Sequence, residues 1–207
     1  MRRLGGERSS GRTADQTEIA HFWSDFSDTA TPPGHWNQIA AGLAEQEKLT
    51  IDEESRMFTL LNLALADAGL AAFDCKYHFN FWRPETALRN DSRFDWKSLL
   101  PSPPHPEYVS GHSTFSGAAA EILKCFFGTD TITFETSSDG LPGVTRKFSS
   151  LWACAEEVGW SRIYGGIHYS FSNREGLALG KRVAAAVWKE WGGRKVAYRN
   201  GESPPRS

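Results

Sequence analysis

A chain of 207 residues, 40% hydrophobic and 23% charged, is long enough for one domain with a real core and is ordinary for a globular protein. Its net charge of −2 excludes a general pull on nucleic acid or anionic membranes, so any preference for anions must come from a local cluster. Cys75, Cys125 and Cys154 show no paired spacing, which excludes a disulfide framework and a thiolate zinc site and makes a reducing, cytoplasmic setting the expectation.

No run of about 18 apolar residues occurs, so no membrane span is expected. The first residues are charged but lack the apolar stretch of a signal peptide. Residues 1–13 read as a disordered leader, 14–193 as a single helical domain and 194–207 as a polar tail. Thr17 to Phe26 reads as a first helix with Phe22, Trp23 and Phe26. Thr31-Pro32-Pro33-Gly34 reads as a break, because the proline pair does not fit a helix interior. His35 to Glu47 forms a second, amphipathic helix. Thr50, with Glu53 three residues on, makes a capping box for a long third helix that runs to about Trp82, where Arg83-Pro84 stops or turns it.

Residues 84–110 are loop-rich, with a short helix possible near Glu85–Leu88 and a stiff stretch around Pro101, Pro103, Pro104 and Pro106. His112 to Phe127 is small and apolar and reads as a buried helix. A loop over 128–145, a helix over Lys147–Trp160 and a last helix over Asn173–Trp191 complete the chain. The class is all-α.

Three short stretches carry chemistry. Lys76 and Arg83 are seven residues apart, and at about 100° per residue seven steps return to within about 20° of the same helix face. Ser110-Gly111-His112 opens the buried helix, where free N–H groups and the positive dipole end favour an anion, Gly111 permits close approach and His112 can serve as acid or base. Ser161-Arg162 and His168 are separated by Gly165-Gly166, which allows a sharp turn that brings a guanidinium fork and an imidazole together. Singly, each stretch has a bland reading: a solvated basic stripe, a capped helix start, an ordinary turn. Together they supply three cations, a hydroxyl, a backbone amide and two imidazoles, which suits a tetrahedral oxyanion.

The order Lys-x6-Arg-Pro, Ser-Gly-His, Ser-Arg-x5-His resembles the signature of the vanadium-dependent haloperoxidases. Those enzymes share it with acid phosphatases of the type 2 phosphatidic-acid-phosphatase superfamily. The resemblance covers about residues 70–190, and Pro104-His105-Pro106-Glu107-Tyr108 is similar to the segment that precedes Ser-Gly-His in the haloperoxidases. It implies an α-helical bundle with vanadate, or phosphate in its place, at one end. Lys76, Arg83 and Arg162 would hold the equatorial oxygens, with Ser110 and the Gly111 amide adding hydrogen bonds. His168 would bind the metal axially, His112 would be the acid–base group, and Lys76 would polarise bound peroxide. His105 is similar to the bromoperoxidases at a halide-pocket position, which implies bromide. Hydrogen peroxide and halide are the implied substrates.

Two alternatives share the shell. In a phosphatase acting on phosphate esters, His168 would attack phosphorus and His112 would protonate the leaving oxygen. An inactive oxyanion-binding remnant is the other. The chain departs from the resemblance at Val109, where Pro is usual, and at Ser172, where an Asp usually stands four residues after the His; Glu175 or another acid could substitute. Arg162 calls for a carboxylate that the sequence does not single out. Only about 75 residues precede Lys76, fewer than is usual in the haloperoxidases, so an apolar face covered by a second copy in a homodimer is the expectation for assembly.

Overall fold

The computed structural model describes residues 1–91, 95–193 and 196. Among these, helices α1 (Ala14–Phe22), α2 (Thr31–Glu47), α3 (Ile51–Phe79), α4 (Pro84–Arg89), α5 (Gly111–Phe127), α6 (Leu151–Tyr164) and α7 (Ser170–Val187) dominate, and α7 runs on into a π-helical turn at Trp188–Gly192. Helix α5 lies at the centre, packed on α3, α6 and α7. Its Ala118, Ala119, Ala120, Ile122, Leu123 and Phe126 join Trp23, Trp36, Leu43, Met57, Leu61 and Leu65 in one core. The α5–α7 approach is close: a Cβ on Gly180 would sit 2.0 Å from the Thr114 carbonyl oxygen. Only a residue without a side chain allows that contact.

Several helix boundaries differ from the expected ones. Pro32 and Pro33 stand in the first turn of α2, where the missing N–H groups would have had no intrahelical partner anyway. The capping box at Thr50 forms as expected, but α3 stops at Phe79 because Asn80 turns left-handed at φ 44°. Lys76 and Arg83 therefore do not share a helix face: Lys76 ends α3, and Arg83 is the N-cap of α4. The expected 128–145 loop contains strand β1 (Phe134–Ser137), which pairs antiparallel with β2 (Thr145–Phe148), Phe134 opposite Phe148. The alternate buried positions in β1 are Phe134 and Thr136, the first in the core and the second 3.1 Å from His35 Nε2.

Residues 1–13, expected to be a disordered leader, are instead packed against the bundle. Gly5 lies so close to Gly166 that a Cβ there would meet its Cα at 2.4 Å. Arg12 donates to the carbonyls of Leu4 at 2.5 Å and Gly6 at 2.8 Å. The polar tail expected at 194–207 falls outside the described residues except for Val196, whose amide donates to the Phe126 carbonyl at 2.9 Å.

Helix α3 is long and apolar enough to cross a membrane by length and composition. Its Met57, Leu60, Leu61, Ala64, Leu65, Ala68 and Ala72 are buried in the protein, and 33% of the apolar window is buried. Leu63, Leu70, Phe73 and Tyr77 remain on its exposed side.

Candidate functional site

The N-terminus of α5 is built by Ser110, whose hydroxyl accepts from the Ser113 amide as an N-cap. Ser113 Oγ lies 2.8 Å from both Ser110 Oγ and Asn173 Oδ1. The Ser113 amide donates to Ser110 Oγ, and the single Ser113 hydroxyl proton is shared between Ser110 Oγ and Asn173 Oδ1, of which the amide oxygen can only accept. At Gly111 the nearest atom to an added Cβ is Lys76 Cε, 4.0 Å away, so the α5 start and the α3 end face each other across a small cradle.

Lys76 is fully buried. Its ammonium donates to the carbonyls of Pro106 at 3.1 Å, Glu107 at 3.0 Å and Val109 at 2.5 Å. All three N–H groups of Lys76 go to backbone carbonyls. Lys76 holds the segment that leads into Ser110 and contributes charge to the pocket. Arg83 works similarly: Nε donates to the His105 carbonyl at 3.0 Å and Nη1 to the Ile167 carbonyl at 2.8 Å, and Nη1 lies 3.0 Å from His168 Nε2. Its Nη2 lies 3.1 Å from His105 Nδ1.

Arg162 sits in the last turn of α6 rather than in the following loop. Beyond it, Gly165 ends the helix and Gly166 takes φ +77°, so the chain doubles back and the amides of Ile167 and His168 both reach the Arg162 carbonyl. The expected convergence of Arg162 and His168 follows from that turn. The Arg162 side chain is fully buried, with Nη1 on the Trp23 carbonyl at 2.5 Å, while Nε and Nη2 have no hydrogen-bond partner. Asp25 is the carboxylate whose charge favours that of Arg162. It is itself buried against His35, 3.2 Å from Nδ1.

Sequence reasoning missed Glu107. Its Oε1 lies 2.7 Å from His168 Nδ1 and accepts from the Tyr169 amide at 3.0 Å. This carboxylate, not Glu175, serves the ring; Glu175 pairs with the exposed Arg174. Glu107 Oε2 and Ser172 Oγ are both buried without a well-formed hydrogen bond, although the serine hydroxyl still acts electrostatically on the carboxyl. The available signal was one acid in an apolar, aromatic stretch three residues before Ser110. His112 occupies the first turn as expected, and its Nε2 faces the Ser24 carbonyl at 3.2 Å. A carbonyl only accepts, so Nε2 carries the proton and Nδ1 is the basic atom of the neutral ring.

Burial sets the electrostatics. It pushes the Lys76 ammonium down to about 7, with Arg83 adding to the effect and Glu107 opposing it. Burial likewise lowers Arg83 to about 10 and Arg162 to about 9, values at which both stay charged at neutral pH. Burial and then Lys76 bring His105 to about 4. His112 and His168 are held well below the ordinary imidazole value, first by burial and then by Arg162 and Arg83 respectively. Glu107 is pushed up by burial, against the Tyr169 amide and the Ser172 hydroxyl. The site thus holds neutral imidazoles beside two charged guanidiniums, and Nε and Nη2 of Arg162 have no hydrogen-bond partner, a donor set suited to an oxyanion.

Residues 56–95 and 90–193 match the family model of the VCPO second helical-bundle domain. This chain belongs to the vanadium haloperoxidase family. Vanadium chloroperoxidase of Curvularia inaequalis is 30% identical to it, over 81% of this chain and 38% of that protein. A vanadium-dependent bromoperoxidase of Corallina pilulifera is 27% identical over 74% of this chain and 28% of that protein. Among solved structures, a bacterial vanadium-dependent iodoperoxidase superposes with a TM-score of 0.81 at 34% identity, over 86% of this chain and 44% of that one. The chain therefore spans less than half the length of the haloperoxidases it matches. The all-α bundle expected from sequence is the family's helical-bundle fold, and the family is one of oxidoreductases.

Proposed function

We propose that this chain binds vanadate and uses it to oxidise halide, bromide in preference, with hydrogen peroxide. The observation that carries the reading is the buried Arg162 guanidinium, whose Nε and Nη2 have no partner. These two nitrogens form one bidentate edge, the geometry with which arginine grips two oxygens of a tetrahedral anion. A buried cation with two idle donors is costly unless an anion completes it.

The residues fit vanadate. His168 would take it at Nε2, Arg162 and Arg83 would grip its oxygens, and the Ser110 hydroxyl and Gly111 amide would add hydrogen bonds at the α5 start. Bound vanadate supplies a Lewis acid that activates peroxide toward halide without changing its own oxidation state. His168 Nδ1 lies 2.7 Å from Glu107 Oε1, which leaves Nε2 to face the pocket. Arg83, now 3.0 Å from that nitrogen, would turn its N–H groups to the anion's oxygens. His112 takes a proton at Nδ1 and can return it, since its low pKa makes it neutral before reaction. Lys76 contributes positive charge beside the reacting oxygens and holds the 106–109 backbone in place. His105, half-buried between Arg83 and Phe73, borders the pocket as the halide-facing residue.

The test is bromination of a phenolic dye by peroxide and bromide, with and without added vanadate, run beside hydrolysis of p-nitrophenyl phosphate. Vanadate-dependent bromination is expected. Phosphatase activity that vanadate inhibits, without bromination, would assign the same shell to phosphoryl transfer. Silence in both assays with vanadate bound would leave an oxyanion receptor without this chemistry.

A further inference from the structure

We propose that Glu107 is the positioning residue for His168: it holds the Nδ1–H tautomer and aims Nε2 at the oxyanion. This rests on the reading that His168 is the residue that receives the oxyanion.

The tautomer follows from counting donors. Arg83 Nη1, 3.0 Å from His168 Nε2, can only donate. The nitrogen it faces is therefore the unprotonated one, and the ring proton sits on Nδ1. Nδ1 lies 2.7 Å from Glu107 Oε1, and the Tyr169 amide donates to that same oxygen at 3.0 Å. Both side chains are buried, at 4% exposure for His168 and 0% for Glu107, so water cannot substitute for the carboxylate. A partner on the second ring nitrogen fixes both tautomer and ring direction.

Glu107 is itself held at both ends of its backbone. Its amide donates to the Phe81 carbonyl at 3.0 Å, and its carbonyl accepts from Lys76 Nζ at 3.0 Å. Its orientation is thereby tied to the end of α3, and His168 inherits that orientation through the carboxylate. Ser172 makes no hydrogen bond to His168; its hydroxyl acts on the Glu107 carboxyl instead. Glu107 thus links the Lys76 stretch and the His168 stretch through one side chain, with Ser110 three residues further along.

The experiment reads the imidazole nitrogens of His168 by 15N NMR in protein labelled at histidine and free of oxyanion, with His168→Gln to assign the signals. Wild type should show one neutral tautomer, protonated at Nδ1. Glu107→Met keeps bulk but offers no acceptor, and should give mixed tautomers and a loss of inorganic phosphate affinity of about 10- to 100-fold. Glu107→Gln still presents an oxygen and should retain the tautomer with a smaller loss. An Nε2-protonated ring in wild type would overturn the proposal with no variant needed, even if Glu107→Met fails to fold. A Glu107→Met protein with wild-type tautomer and phosphate affinity would also overturn it, leaving Glu107 a packing residue. Absence of bromination with the Nδ1–H tautomer intact would count against the haloperoxidase reading alone.

Discussion

Arg83 Nη1 and His168 Nε2 stand 3.0 Å apart in a buried pocket. A guanidinium gives protons and never takes them, so this contact keeps the imidazole lone pair formed and pointed inward. The nitrogen an oxyanion's central atom would need is thus prepared before any ligand arrives. Arg83 can exchange this contact for a charge-assisted bond to an anion oxygen, which is the stronger of the two.

Removing the imidazole should remove the anchor. His168→Ala is expected to abolish vanadate retention in equilibrium dialysis while the fold survives. Unchanged retention would place the anchor on another side chain.

The unpartnered edge of Arg162 should matter nearly as much. Arg162→Lys keeps the charge but loses the fork. Hydrogen bonds to charged groups contribute about 1.5–3 kcal/mol each, so phosphate affinity measured by calorimetry should fall at least tenfold. A parallel thermal melt separates that loss from the bond to the Trp23 carbonyl.

Lys76 makes stability pH-dependent. Burial holds its ammonium down at about 7 in the folded chain, well below the ordinary lysine value of about 10.4, so at intermediate pH the unfolded chain binds more protons and stability rises with pH. Without oxyanion, the urea midpoint should climb between about pH 7 and 9, and Lys76→Met should flatten that climb. A wild-type midpoint that falls over this range would contradict the assignment.

Helix α5 depends on Gly180. A methyl group there would press on the Thr114 carbonyl at 2.0 Å, so Gly180→Ala should cost about 3 kcal/mol or more in urea unfolding, at the upper end for overpacked cores. A neutral result would mean that α5 and α7 lie further apart than described.

Where the signal was local, the sequence was legible. The capping box at Thr50, the helix starting at Ser110-Gly111 and the turn at Gly165-Gly166 form close to where residue spacing puts them, because caps and turns are satisfied within a few residues. The Lys76–Arg83 pair was grouped correctly for the wrong reason. A helical period assumed across both residues is broken by a left-handed Asn80, and tertiary folding brings them to one pocket instead. The 134–148 hairpin escaped notice because four-residue strands leave too short a pattern to read.

By itself, the sequence determined the residue types of the proposed oxyanion shell and the local elements that present them. Only the tertiary structure decided which nitrogen of His168 faces inward, that Glu107 rather than an acid after His168 serves it, and that residues 1–13 belong to the packed fold. The physical reason is separation along the chain. Glu107 and His168 are 61 residues apart, and Gly5 meets Gly166 from the opposite end of the chain. Contacts of that kind leave no period, cap or turn in the sequence, because packing alone brings the partners together.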